Sequence, residues 1–132
     1  MHKDNKLNFT YESAEQVELA FYEVFGEGNF PLMESLFAEN GVTYSHLGDT
    51  EIIGRKKVID NWQFILTDIP KVNINRDILN VSRNAAIETH LVLESFVIDK
   101  KTGKTSKIIT TNTFIEQSNG WRLQTQTSSL PS

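Results

Sequence analysis

The sequence predicts an α+β domain in which three N-terminal helices pack on a strongly curved antiparallel sheet and close a cone-shaped barrel. Three observations carry that expectation. Apolar residues recur at helical spacing before Pro70 and in long β-type runs from Val72 onward. The links between the later runs are short and have hairpin chemistry. At 132 residues with 39% apolar positions, the chain supports one hydrophobic core and is too short for two ordinary domains. One domain over residues 1–132 is expected, with 1–11 as a flexible N-terminal tail.

Ser13-Ala14-Glu15-Gln16 has the form of a capping box and predicts a helix start. Val17, Ala20, Phe21, Val24 and Phe25 then form one apolar face, with Glu15, Glu18, Glu23 and Glu27 on the remainder. Gly26-Glu27-Gly28 supplies a glycine for a left-handed cap. Asn29 is an N-cap for a short second helix that tolerates Pro31 in its first turn, buries Leu32, Met33, Leu36 and Phe37, and ends at Asn40-Gly41. Val42 to His46 reads as a strand, broken by the polar loop Gly48-Asp49-Thr50. After Gly54 a third helix follows, with Val58, Ile59, Trp62, Ile65 and Leu66 on one side until Pro70 stops it. The β-type runs are 72–82, 85–99, 107–117 and 121–128, joined at Arg83-Asn84, at Lys100 to Gly103 and at Ser118-Asn119-Gly120. Runs of helix followed by a meander place the helices on one face of the sheet, and the enclosed space is either filled by large side chains or left as a pocket.

Composition excludes several chemistries. The chain has no cysteine, hence no disulfide, thiolate nucleophile or cysteine-ligated metal. A net charge of -4 and a pI near 5.3 argue against nucleic-acid binding. No stretch approaches the roughly 18 apolar residues of a membrane span, and the polar start Met1 to Lys6 has no export signal, so a cytoplasmic protein is expected. Gly-rich phosphate loops and Gly-x-Ser-x-Gly elbows are missing, and no cofactor is predicted. His46, Asp49 and Glu51 form the one local cluster suggestive of a metal, but their spacing fits no standard motif and they read as a polar loop.

Ala20-Phe21-Tyr22, Gly28-Asn29-Phe30 with Leu36 to Asn40, Val42 to His46, Gly54-Arg55 with Trp62, and Asn119-Gly120-Trp121-Arg122-Leu123 together resemble the nuclear transport factor 2-like superfamily. More narrowly, they resemble SnoaL-like and ketosteroid-isomerase-like proteins. The resemblance spans Ser13 to Ser129 and implies the cone-shaped α+β fold. It leaves activity open, because this fold hosts isomerases, cyclases, dehydratases and non-catalytic association modules.

His46 falls where the isomerases of this family place their carboxylate base, and an imidazole accepts a proton near neutral pH. It reads either as a general acid or base or as a pocket-lining hydrogen bonder. Asn112 falls, by the same resemblance, where a protonated aspartate donates to the developing oxyanion, and an amide donates without any pKa shift. It reads equally as a polar side chain satisfying a neighbouring strand. The family's oxyanion tyrosine aligns with Phe21, while Tyr22 points about 100° away around the helix. Phe21, Tyr44 and Trp62 are expected to face the pocket, and the resemblance turns Thr125 and Thr127 toward it from the last strand. His90, in Glu88-His90-Val92-Glu94-Phe96-Ile98, has the opposite parity from Leu91 and Leu93, which places it on an outward, half-apolar face. Members of the superfamily dimerise through that sheet, so a homodimer is expected.

Two functions remain. One is an isomerase- or lyase-type enzyme using His46 and Asn112 on a small neutral organic ligand. The other is a non-catalytic dimeric binding or association module. Because few charged candidates point inward, a ring-containing or short apolar compound fits better than a phosphate or sugar acid.

Overall fold

The computed structural model describes residues 10–68 and 73–131. Residues 1–9, Pro70 and Val72 lie outside the described residues. Among the described residues nine elements follow one another: α1 (Ala14–Glu27), α2 (Phe30–Ser35), β1 (Thr43–His46), β2 (Ile52–Ile53), α3 (Arg55–Asp68), β3 (Asn75–Asn84), β4 (Ile87–Asp99), β5 (Lys104–Gln117) and β6 (Gly120–Ser129).

Local chemistry sets the helix ends. The Ser13 hydroxyl accepts from the Gln16 amide at 3.1 Å, and the Gln16 side chain accepts from the Glu12 amide at 2.8 Å, a capping box displaced by one residue on its return arm. Gly28 closes α1 at φ +70°, and its N–H donates to Val24 O at 2.9 Å. Asn29 Oδ1 caps α2 by accepting from Leu32 N at 3.3 Å. The second helix stops at Ser35, well before Asn40-Gly41. The next residues are taken by β6: Leu123 N donates to Leu36 O and Ala38 N to Leu123 O, both at 2.8 Å. Tyr11 also reaches β6, bridging Gly120, so ordered structure extends into the segment read as a tail.

The sheet runs β2-β1-β6-β5-β4-β3 and curls over the helices without closing into a barrel. The four long strands form antiparallel hairpins as expected, but β1 lies parallel to β6. That corrects the all-antiparallel expectation. β1 comes from far away in sequence, so no hairpin turn dictates its direction. The two-residue strand β2, antiparallel to β1, lies in what reads as a loop. The first hairpin turns at Ala85-Ala86, with Ala85 at φ +57°, instead of at Arg83-Asn84.

The core lies between the helices and the inner face of the sheet. Phe114, Met33, Leu36, Leu123, Val17, Val42 and Val58 are fully buried there. No helix among the described residues is long and apolar enough to cross a membrane.

Candidate functional site

Beside this core is a cavity of about 320 Å³ bounded by α1, α3, β1 and the inner face of the sheet. Its walls are aromatic. Phe21, Tyr22 and Phe25 come from α1, Tyr44 from β1, Trp62 from α3 and Phe96 from β4. Trp62 is the hinge of the packing, meeting Phe21 at 5.3 Å, Phe25 at 5.7 Å and Tyr44 at 5.2 Å between ring centroids, all edge to face. His46 stacks on Tyr44 at 6.2 Å and is half-buried at the mouth. A smaller recess of about 180 Å³ adjoins it, bounded by His46, Asp49, Thr50 and Asn61.

The polar lining comes from the sheet: Glu94, Gln126 and Ser128. The Tyr22 hydroxyl donates to Glu94 Oε2. Burial pushes the Glu94 carboxyl above the ordinary carboxylate range. Hydrogen bonds from Tyr22 and Thr110 pull the other way, and the charge of Glu18 pushes further up. Burial likewise raises the Tyr44 hydroxyl, aided by the charges of Glu94 and Asp49, so it keeps its proton and stays a donor.

A second polar layer lies behind Tyr22. Asn112 Nδ2 donates to Glu18 Oε2 at 2.9 Å and to the Tyr22 hydroxyl oxygen at 3.1 Å, while its carbonyl accepts from Gln126 Nε2 at 3.0 Å. His90 stands 2.9 Å from Glu18 Oε1 and 2.6 Å from Glu88 Oε2, and Arg76 pairs with Glu18.

Of the residues singled out in sequence, Phe21, Tyr44, His46 and Trp62 meet around the cavity. Asn112 does not line it. Both its N–H donors are committed to Glu18 and Tyr22, so it is a support for Tyr22 instead of a donor to ligand. Thr125 and Thr127 do not line it either. A β-bulge at Gln124 shifts the register from Phe114↔Leu123 to Thr113↔Thr125, which reverses parity beyond it and turns both threonines to the outer face. Gln126 and Ser128 take the inner positions.

Glu88, His90, Val92, Glu94 and Phe96 also face opposite to the sequence expectation. His90 and Val92 are buried with Glu94 against α1, and Leu91 and Leu93 take the outer side. Cross-strand pairing holds the signal: Glu88 is opposite Phe114 and His90 opposite Asn112, so the fully buried Phe114 marks the inward parity of both strands. On α1, Glu18 lies one turn before Tyr22 and shares its buried stripe instead of the solvent face. That stripe is broad enough for Phe21 and Tyr22 both to reach the cavity.

The SnoaL-like domain model matches residues 14–132. No curated protein matches the chain. Among solved structures, a protein of Thiobacillus denitrificans provisionally named a calcium/calmodulin-dependent protein kinase type II association domain superposes with a TM-score of 0.87 at 22% identity, covering 94% of this chain and 99% of its own. A protein of Streptomyces avermitilis, provisionally named a dehydratase of the NTF2-like family, gives 0.76 at 21% identity, with 89% and 93% covered. A nuclear transport factor 2-like superfamily protein of Salmonella enterica gives 0.74 at 13% identity, with 89% and 87% covered. At these identities the structures share the fold, and the match over nearly the whole chain is what assigns the family: this chain belongs to the SnoaL-like domain family.

Proposed function

We propose that the chain is a cytoplasmic protein that binds a small organic molecule with a largely apolar body and moves a proton on it, as an isomerase or lyase does. The observation that carries this reading is the position of His46, at the mouth of an aromatic cavity that also holds a buried carboxyl and the Tyr44 hydroxyl. In this reading His46 takes or returns the proton, and Tyr44 donates a hydrogen bond to the charge that develops on the ligand. The aromatic walls exclude water and orient the ring or chain of the ligand. Asn112 keeps Tyr22 directed at Glu94.

Native mass spectrometry of the purified protein, followed by proton NMR of the bound compound in D2O, tests this. A retained organic mass, with C–H exchange that disappears in His46→Ala while the mass remains, supports it. Undiminished exchange in that variant removes His46 as the base. If no mass is retained and no member of a panel of small ring compounds binds, the pocket reading fails.

A homodimer belongs to the same proposal. The face it would use is the outer one, with Leu91 and Leu93 of β4 beside Ile109 and Thr111 of β5. Light scattering should give twice the 15.0 kDa chain mass, and a monomer would overturn it. The likeness to a protein named as an association domain favours a second reading, in which this face is the function and the cavity a relic. Retention of a ligand separates the two.

A further inference from the structure

The charge of the ligand follows from the cavity lining, on the reading that this cavity is the binding site. From the sequence, few charged candidates point inward, which favours a neutral compound. The structure puts Glu94 there. Around it are six aromatic side chains, and among the described residues no lysine or arginine lines either the cavity or the adjoining recess. The nearby buried charges are already matched, since Arg76 and His90 pair with Glu18 and His90 also meets Glu88. Glu94 has the Tyr22 hydroxyl but, among the described residues, no cation in ion-pair contact. At the mouth, Asp49 adds a second negative group.

Each ligand class meets these walls differently. A carboxylate or phosphate would be pressed against Glu94 in a site of low dielectric with nothing to neutralise it. A neutral hydrocarbon would satisfy the rings and leave the carboxyl desolvated. An ammonium group carrying apolar substituents satisfies both, because its diffuse positive charge is attracted to the faces of Trp, Tyr and Phe rings and to a carboxylate together. The negative field of Glu94 and Asp49 reaches this space, since it adds to the raised pKa of the Tyr44 hydroxyl.

We propose that the cavity takes a small organic ammonium cation, a tertiary or quaternary amine, seated among Trp62, Tyr44, Phe21 and Phe25 with Glu94 as its counter-ion. A cavity of about 320 Å³ accommodates an amine bearing methyl groups and one short chain or ring.

Calorimetric titration with choline and with 3,3-dimethyl-1-butanol, its uncharged isostere, tests the charge directly on the unmodified protein. The proposal expects choline to bind at least about tenfold more tightly, the scale of one cation–π or charge contact, and expects Glu94→Gln to reduce that preference. Equal affinity, or tighter binding of the alcohol, overturns the cation and leaves the pocket reading standing. Binding of neither compound overturns the cation; the pocket reading falls with it only if the panel of small ring compounds also fails to bind. A preference that persists undiminished in Glu94→Gln overturns the counter-ion role.

Discussion

His90 Nδ1 stands 2.9 Å from Glu18 Oε1 in the core of the protein, 72 residues away in sequence, and the other nitrogen of the ring is 2.6 Å from Glu88 Oε2. Carboxylates accept and do not donate, so both contacts are hydrogen bonds only when both ring nitrogens carry protons. Burial works against the charged ring, but the hydrogen bonds to Glu18 and Glu88 outweigh it and raise its pKa. For Glu18, burial raises the pKa, while the hydrogen bonds from His90, Asn112 and Arg76 bring it below the ordinary range. Each group keeps the other ionised.

This pair makes stability depend on pH in two directions. The His90 contribution is complete below the ordinary histidine pKa of about 6.5 and is lost as pH rises through its raised folded value. The Glu18 contribution is complete above the ordinary carboxylate range and is lost as pH falls through its lowered folded value. Thermal unfolding should therefore give the highest Tm between about pH 5 and 6.5 and a fall on the alkaline side. His90→Gln should lower stability by about 3 kcal/mol, because it removes from the buried Glu18 one of its two cations and leaves only Arg76. It should also flatten the alkaline fall. A variant with the same alkaline slope as the parent would show that His90 is not its cause.

Glu94 has the opposite sign to Glu18. Its folded pKa lies above its unfolded one, so ionising it in the folded protein costs stability. That cost is complete above the folded value and vanishes below the ordinary carboxylate pKa of about 4.3. Glutamine keeps an acceptor for the Tyr22 hydroxyl and removes the charge. Glu94→Gln should accordingly be more stable than the parent at pH 8 by about 1 kcal/mol, and no more stable at pH 4. Urea unfolding at both pH values measures this, and a less stable variant at pH 8 would mean the carboxylate is stabilised by groups other than Tyr22 and Thr110.

These residues also show where local sequence stops being informative. Ser13, Gly28 and Asn29 cap helices through bonds spanning three or four residues, and those caps are readable in the chain itself. Phe21 and Trp62 sit at helical spacing, and Tyr44 and His46 share one side of a strand, so that half of the site was legible too. His90 and Glu94 were not. Apolarity assigns the inner side of β4 to Leu91 and Leu93, and partners distant in the chain, on α1 72 positions earlier and at Phe114 on β5, make the polar side the buried one. Thr125 and Thr127 were misplaced for a different reason. Alternation counted from Trp121 holds only as far as Leu123, and the extra residue at Gln124 reverses it.

Phe114 ties the apolar core to this polar layer. It is fully buried on β5, and its ring lies 5.0 Å from that of His90. Phe114→Ala should cost about 3–5 kcal/mol, the transfer and cavity terms of a deleted core ring. The loss should appear as a lower urea midpoint. A loss below about 1 kcal/mol would mean the neighbouring side chains collapse into the space.

Two glycines separate backbone strain from steric conflict. Gly120 has φ +102°, and a Cβ there would lie 2.7 Å from Tyr11 O and 2.9 Å from Tyr11 N. Gly41 has φ +75°, and a Cβ there would lie 2.7 Å from Gln124 Nε2, the far end of a side chain that can swing aside. Both substitutions to alanine carry the cost of a left-handed backbone, about 1 kcal/mol. Only Gly120→Ala also drives a methyl group into main chain. Tyr11 O accepts from Trp121 N at 2.8 Å and the Tyr11 ring packs under Arg122 at 5.2 Å, so yielding there means detaching the N-terminal segment from β6. Gly120→Ala should therefore cost at least about 1 kcal/mol more than Gly41→Ala, with faster hydrogen exchange at the Trp121 amide. Equal losses and unchanged exchange would mean that φ alone sets the cost, since φ is the strain the two positions share.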